Sequence, residues 1–120
     1  VIGGALAIIG ISFPAVETGI VLSVLILGAM IAVSKPISRP WVLMIVGLFA
    51  LFHGHAHGEE MSVIVSPFFY FLGFVIATSL LHICGMLTGH YALKTELNTK
   101  LLRIAGAGMS ALGLVFLLLI

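Results

Sequence analysis

Long apolar runs broken only by short polar links constrain this chain more than any other feature. Val16 to Ser34, Trp41 to about Gly58, Pro67 to Tyr91 and Leu101 to Ile120 are each close to the length that crosses a bilayer, about 20 mostly apolar residues for a helix. A fifth run, Val1 to Phe13, is shorter and is closed by Pro14; it reads as the end of a helix cut at its start. Of 120 residues, 62% are hydrophobic and 8% charged. A soluble domain of this size could not keep so much apolar surface from water, so the solvent is lipid. The runs are too long for barrel strands and do not alternate. The expected fold is all-α: a polytopic membrane helix bundle with four full transmembrane helices plus part of a fifth at the N-terminus. Residues 1–120 form one transmembrane domain, read as a fragment because Val1 opens directly into an apolar run. Pro40 and Pro67 suit first helical turns, and the fourteen glycines suit close helix approach.

The charges sort by link. Lys35 and Arg39 lie between the second and third runs, and Lys94, Lys100 and Arg103 lie around the last link. Glu17, Glu59 and Glu60 occupy the alternate links. Positive-inside reasoning puts the basic links in the cytoplasm, so Glu17 and the histidine-rich end of the third run share the outer face of the membrane. A net charge of +1 leaves no footprint for nucleic acid. The single cysteine, Cys84, excludes an intrachain disulfide and a cysteine-based zinc site; it reads as a small packing residue.

That histidine-rich end is Phe52-His53-Gly54-His55-Ala56-His57-Gly58-Glu59-Glu60-Met61. Ionisable residues at membrane depth are costly and mark function, and imidazole with carboxylate suits a divalent first-row transition metal. His53 and His57 stand at i and i+4, one turn apart on one helical face, a spacing that lets two imidazoles chelate one ion. The expectation is that both rings face a shared cavity. Glu60 extends that face and Glu17 is the natural anionic partner, although a carboxylate there also suits a helix N-terminus on dipole grounds alone. His55 points roughly the other way and is the weaker candidate; Glu59 reads as solvating the link. Gly54 and Gly58 invite a neighbouring helix to come close. His82 lies roughly 22 Å along its helix from Pro67 at 1.5 Å per residue, at a different depth from His53, so it reads as a separate station on one path or as a hydrogen-bonding strut. His90 reads as interfacial, and Gly85 and Gly89 as packing glycines.

These residues carry a resemblance. The chain resembles the HupE/UreJ family of bacterial membrane proteins, associated with hydrogenase and urease gene clusters and regarded as nickel permeases. Phe13-Pro14-Ala15-Val16-Glu17-Thr18-Gly19-Ile20, with Ser23-Val24 after it, is similar to the family's Glu-bearing segment. Phe49 to Met61 is similar to its His-Gly-x-Ala-His-Gly-x-Glu signature, and Tyr70 to Gly85, with Gly73-Phe74, Ala77-Thr78 and Leu81-His82, to its following helix. The resemblance implies that His53, His57, Glu60, Glu17 and His82 line a metal transport route. His55 fills a variable position, so no role carries over to it. The family's other motif, His-Pro-x-x-Gly-x-Asp-His on an earlier helix, is absent here, and with it any assignment of its role.

The function expected is therefore Ni²⁺ uptake supplying hydrogenase or urease. Ni²⁺ is the transported ion and no prosthetic group is implied. Binding needs deprotonated imidazoles, so uptake should weaken on acidification. Partners are the divalent ion and the lipid bilayer, and the glycine pairs leave room for homo-oligomers. Co²⁺ on the same architecture is an alternative, since residue types do not separate the two ions. A metal-binding accessory protein that moves nothing is another. An intramembrane hydrolase, with Ser110 as nucleophile and His82 as base, lacks the glycine expected after the serine. No nucleotide-binding loop is present, so ATP coupling would need a partner chain.

Overall fold

The computed structural model describes residues 1–61 and 66–120 and is all-helical over them: α1 (Ile2–Ile8), α2 (Val16–Val33), α3 (Arg39–Glu59), α4 (Pro67–Ala92) and α5 (Glu96–Leu119). The last four are long and apolar enough to cross a membrane. In hydrocarbon each backbone N–H and C=O must be satisfied within the segment, and a helix does this alone. Pro40 and Pro67 sit in the first turns of α3 and α4 as expected. The link expected from Glu59 to Ser66 falls partly outside the described residues, at 62–65.

Two boundaries differ from the sequence reading. The first helix stops at Ile8, well before Pro14. Gly10 turns the chain at φ +83°, with Gly10 N–H donating to Ala7 O (3.0 Å) and Ile11 N–H to Leu6 O (3.0 Å). That pair of bonds satisfies the last carbonyls as a Schellman end does. Residues 10–15 are thereby freed to fold back across the bundle. The last helix begins at Glu96, so most of the polar stretch expected as a link is its first turn. The Thr95 hydroxyl accepts from the Asn98 N–H at 3.2 Å, and Glu96 pairs with Lys100 at 3.0 Å, a cap and an i,i+4 pair that favour helix there.

The helices pack as two close pairs, α1 with α3 and α2 with α5, joined where α2 meets α3. Glycine makes both pairs close. A Cβ on Gly3 would strike the Leu51 carbonyl, and one on Gly58 would lie 2.7 Å from Gly4 O, so the expected role of Gly54 and Gly58 holds, with α1 as the neighbour. In the other pair a Cβ on Gly28 would lie 2.6 Å from Ser110 N, and one on Gly113 would lie 2.6 Å from Leu25 N. Polar groups cross the same seam: Ser110 Oγ donates to Leu25 O (3.0 Å) and Arg103 Nε to Ala32 O (2.8 Å). Arg103 thus satisfies a carbonyl in the last turn of α2, which ends at Ser34 in the left-handed region.

α4 is different. It meets α5, and its first turns touch the end of α3, but none of Phe68–Ala92 is buried. Gly85 and Gly89 have open space where a Cβ would be, and Cys84 is exposed. The packing roles expected for these three residues are not seen, because no helix covers their face of α4 among the described residues.

Candidate functional site

The last two turns of α3 are held from two sides. On one side α1 lies against Gly54 and Gly58. On the other, the Tyr70 hydroxyl of α4 donates to His57 O at 3.0 Å, and the Phe74 ring centroid lies 5.3 Å from that of His57. Backbone approach through glycine and a tyrosine clasp together fix where the α3 histidines point.

His53 and His57 are adjacent, as the i,i+4 spacing requires. Their ring centroids are 5.9 Å apart, with planes at 53°. Glu60 joins them: its Oε2 is 3.4 Å from His57 Nδ1, and the Tyr70 hydroxyl is 3.4 Å from the same nitrogen. His57 is half-buried and lines a cavity of about 10 Å³, enough for a single water, with Gly4, Gly58, Tyr70 and Phe74 among its walls. His53 is exposed. The expected shared cavity is thus occupied by one ring, His57, while His53 stands at the surface beside it.

Glu17 is at the same end of the bundle. The α1–α2 connection brings Phe13 onto α3, with ring centroids 4.3 Å from His55 and 5.7 Å from Phe52, and the Gly19 backbone meets the Phe52 ring. The Glu17 side chain is exposed and makes no hydrogen bond or ion pair among the described residues. Lys35, Lys100 and Arg103 gather at the other end of α2, so the charges divide between the two ends of the bundle as their order along the chain predicts.

His82 stands apart from the α3 group. Its Nδ1–H donates to Thr78 O on its own helix at 2.7 Å and its ring is exposed. This bond fixes the tautomer and leaves Nε2 as a free lone pair, the form a metal-binding histidine takes. The Ser110 hydroxyl donates to Leu25 O, and no hydrogen bond joins it to His82 among the described residues. Among the described residues, no three histidine, cysteine or acidic side chains converge on a point that a metal ion could occupy. The arrangement offers pairs of donors rather than a closed shell.

His55 points away from the His53/His57 pair, as its position two residues on requires, and it is covered there. His55 is wholly buried, the only large side chain among the described residues to be so. Its Nε2 bonds Ile11 O at 2.7 Å and its ring lies nearly parallel to Phe13, at 12°. Sequence offered one signal, a histidine two residues out of phase with the His53/His57 stripe. The partner that buries it comes from 44 positions away.

Comparison with known proteins shows the family of the chain. The model of the family described as HupE / UreJ protein matches residues 1–116. The chain is similar to Protein HupE of Rhizobium leguminosarum bv. viciae, 38% identical over 116 residues, which are 96% of this chain and 60% of that protein. It therefore spans about 60% of the length of this curated relative. No solved structure matches. With the family model running over nearly every residue, including the α3 histidines and the helices that hold them, the chain belongs to the HupE/UreJ family.

Proposed function

We propose that this chain is part of a permease that passes a divalent transition-metal ion, Ni²⁺ in the first place, across a bacterial inner membrane from periplasm to cytoplasm, supplying hydrogenase or urease. It acts by transport rather than catalysis, and the ion is cargo. One observation carries the reading: His53 and His57 one turn apart, with the Glu60 carboxylate 3.4 Å from His57, on a helix end held by close backbone packing. Family membership supports it.

The chemistry follows from the donors. Ni²⁺ must shed water to enter a membrane path, and imidazole nitrogen with carboxylate oxygen replaces that water. Donor pairs hold the ion less firmly than a closed shell would, and conduction needs binding weak enough for release. Glu17, at the same end of α2, serves as an outer attractor. His82, with Nε2 free, serves as a later station. The basic end of the bundle faces the cytoplasm.

The test is radiolabelled nickel uptake in cells expressing the protein. His53→Ala and His57→Ala should each abolish accumulation while the protein still inserts in the membrane. Wild-type accumulation in both variants removes these residues from the mechanism. Competition with labelled Co²⁺ decides between the two ions. Liposomes carrying a metal-sensitive dye separate movement of the ion from binding alone, the outcome expected of an accessory metal-binding protein.

A further inference from the structure

We propose that His55 and Glu59 form a second station for a divalent transition-metal ion, on the flank of α3 opposite His57. The inference deepens the transport reading and rests on it for the class of ion. It starts from a buried nitrogen that has no hydrogen-bond partner, His55 Nδ1.

His55 is 0% exposed. Its Nε2 lies 2.7 Å from Ile11 O, and since a carbonyl only accepts, Nε2 carries the hydrogen. Nδ1 is then the free lone pair. It is buried and has no hydrogen-bond partner, an arrangement that costs free energy unless something occupies it. The nearest candidate is Glu59 Oε2 at 3.7 Å, too far for a charge-assisted N–H···O bond of about 2.7–2.9 Å. An ion between the two atoms fits that gap. Metal–nitrogen and metal–oxygen bonds of roughly 2.0–2.2 Å, meeting at an open angle on the ion, span a separation of 3.7 Å. One nitrogen and one carboxylate oxygen are the donors such ions accept.

The surroundings have the features of a station. The parallel Phe13 ring and the bond to Ile11 leave the imidazole one orientation, as outer-shell contacts do for metal-bound histidines. Glu59 is about half exposed, at 52%, so it gives an ion a way in and leaves coordination positions for water. The two flanks of α3 are distinct. His55 faces the α1–α2 connection through Ile11 and Phe13, whereas His57 faces α4 through Tyr70 and Phe74. His55 and Glu59 also fill the two positions that the His-Gly-x-Ala-His-Gly-x-Glu signature leaves variable, so this station belongs to this chain and not to the signature.

Ni²⁺ titration of the purified protein in lipid nanodiscs tests it, with Cu²⁺ electron paramagnetic resonance reporting nitrogen ligation. The wild type should bind two ions, one at each donor pair, because a single exposed imidazole such as His82 holds an ion too weakly to be counted in the titration. Glu59→Gln should bind one, and the double variant His53→Ala/His57→Ala should also bind one, with a spectrum of single-imidazole ligation. His55→Gln keeps a donor for Ile11 O but has no Nδ1, and should match Glu59→Gln. Should His55→Gln fail to fold, Glu59→Gln, at a half-exposed carboxylate, still decides. Two ions in Glu59→Gln, or one ion in the wild type that vanishes in the double variant, overturns the second station and leaves the transport reading standing. No ion in the wild type overturns both.

Discussion

α3 and α4 are both apolar helices of spanning length that carry histidines, yet they use them in opposite ways. On α3 the histidines are defined by distant parts of the chain. Ile11 and Phe13 hold His55, while Tyr70 and Phe74 flank His57, and glycine lets α1 press against the same turns. On α4, His82 is satisfied by its own backbone at Thr78, and Gly73, Gly85 and Gly89 meet nothing. Without a hydrophobic drive between helices in lipid, close packing and interhelical hydrogen bonds determine which helices associate. α3 has both kinds of contact around its histidines. α4 has the second kind only at its two ends, where Tyr70 donates to His57 O and Thr99 of α5 donates to Ala92 O, so perturbations should be costly on α3 and cheap along most of α4.

The largest effect is expected at the glycine seam. Gly3→Leu drives a side chain into the Leu51 carbonyl and should destabilise the protein by about 3 kcal/mol or more, the upper range for overpacking. Thermal unfolding in nanodiscs reads it, with Gly85→Leu as the matched change on α4. Equal losses in the two would erase the contrast between the helices. Next is His55→Ala, which opens a cavity and strands Ile11 O, for a loss of about 2–3 kcal/mol. His55→Gln should recover part of that loss by restoring a donor, and no recovery would show that the ring, not the bond, holds the connection.

Tyr70→Phe tests the one clasp between α4 and α3. Losing a single hydroxyl bond to a carbonyl should cost about 1 kcal/mol and leave the His53/His57 pair in place, as its metal affinity in nanodiscs would report. Thr95→Ala removes the α5 cap and should cost about the same, near 1 kcal/mol, with hydrogen exchange at residues 96–99 rising first. The smallest effect on stability is expected at His82→Ala, within about 0.5 kcal/mol because the side chain is exposed. A fall in nickel uptake in that variant therefore reports on the path rather than on folding. Unchanged uptake would remove His82 from the path, and since its bond is to Thr78 on its own helix it is no strut between helices either.

Much of this was legible beforehand. Four spans, the proline starts of α3 and α4, the i,i+4 histidine pair and the division of charge between the ends all follow from local pattern. The errors were local as well. Thr95-Glu96 is a cap that belongs to a helix rather than a loop, and Gly10 ends α1 before Pro14 can. The glycines were harder. Gly58 and Gly85 look alike in sequence, and only the position of α1 gives one a neighbour and leaves the other open.

Sequence by itself determined that this chain is a bundle of spanning helices with an acidic, histidine-bearing end and a basic end, because hydrocarbon tolerates only helices and closed barrels, the runs are too long and do not alternate as barrel strands do, and charge stays at the water boundary. Tertiary structure alone decided which histidine is buried. A helical period assigns His55 to the face away from the metal pair, but it says nothing of what covers that face. The cover is the α1–α2 connection, folded back by the turn at Gly10 to lay Ile11 and Phe13 on the ring. Burial is set by contacts far apart in the chain, and no local pattern encodes them.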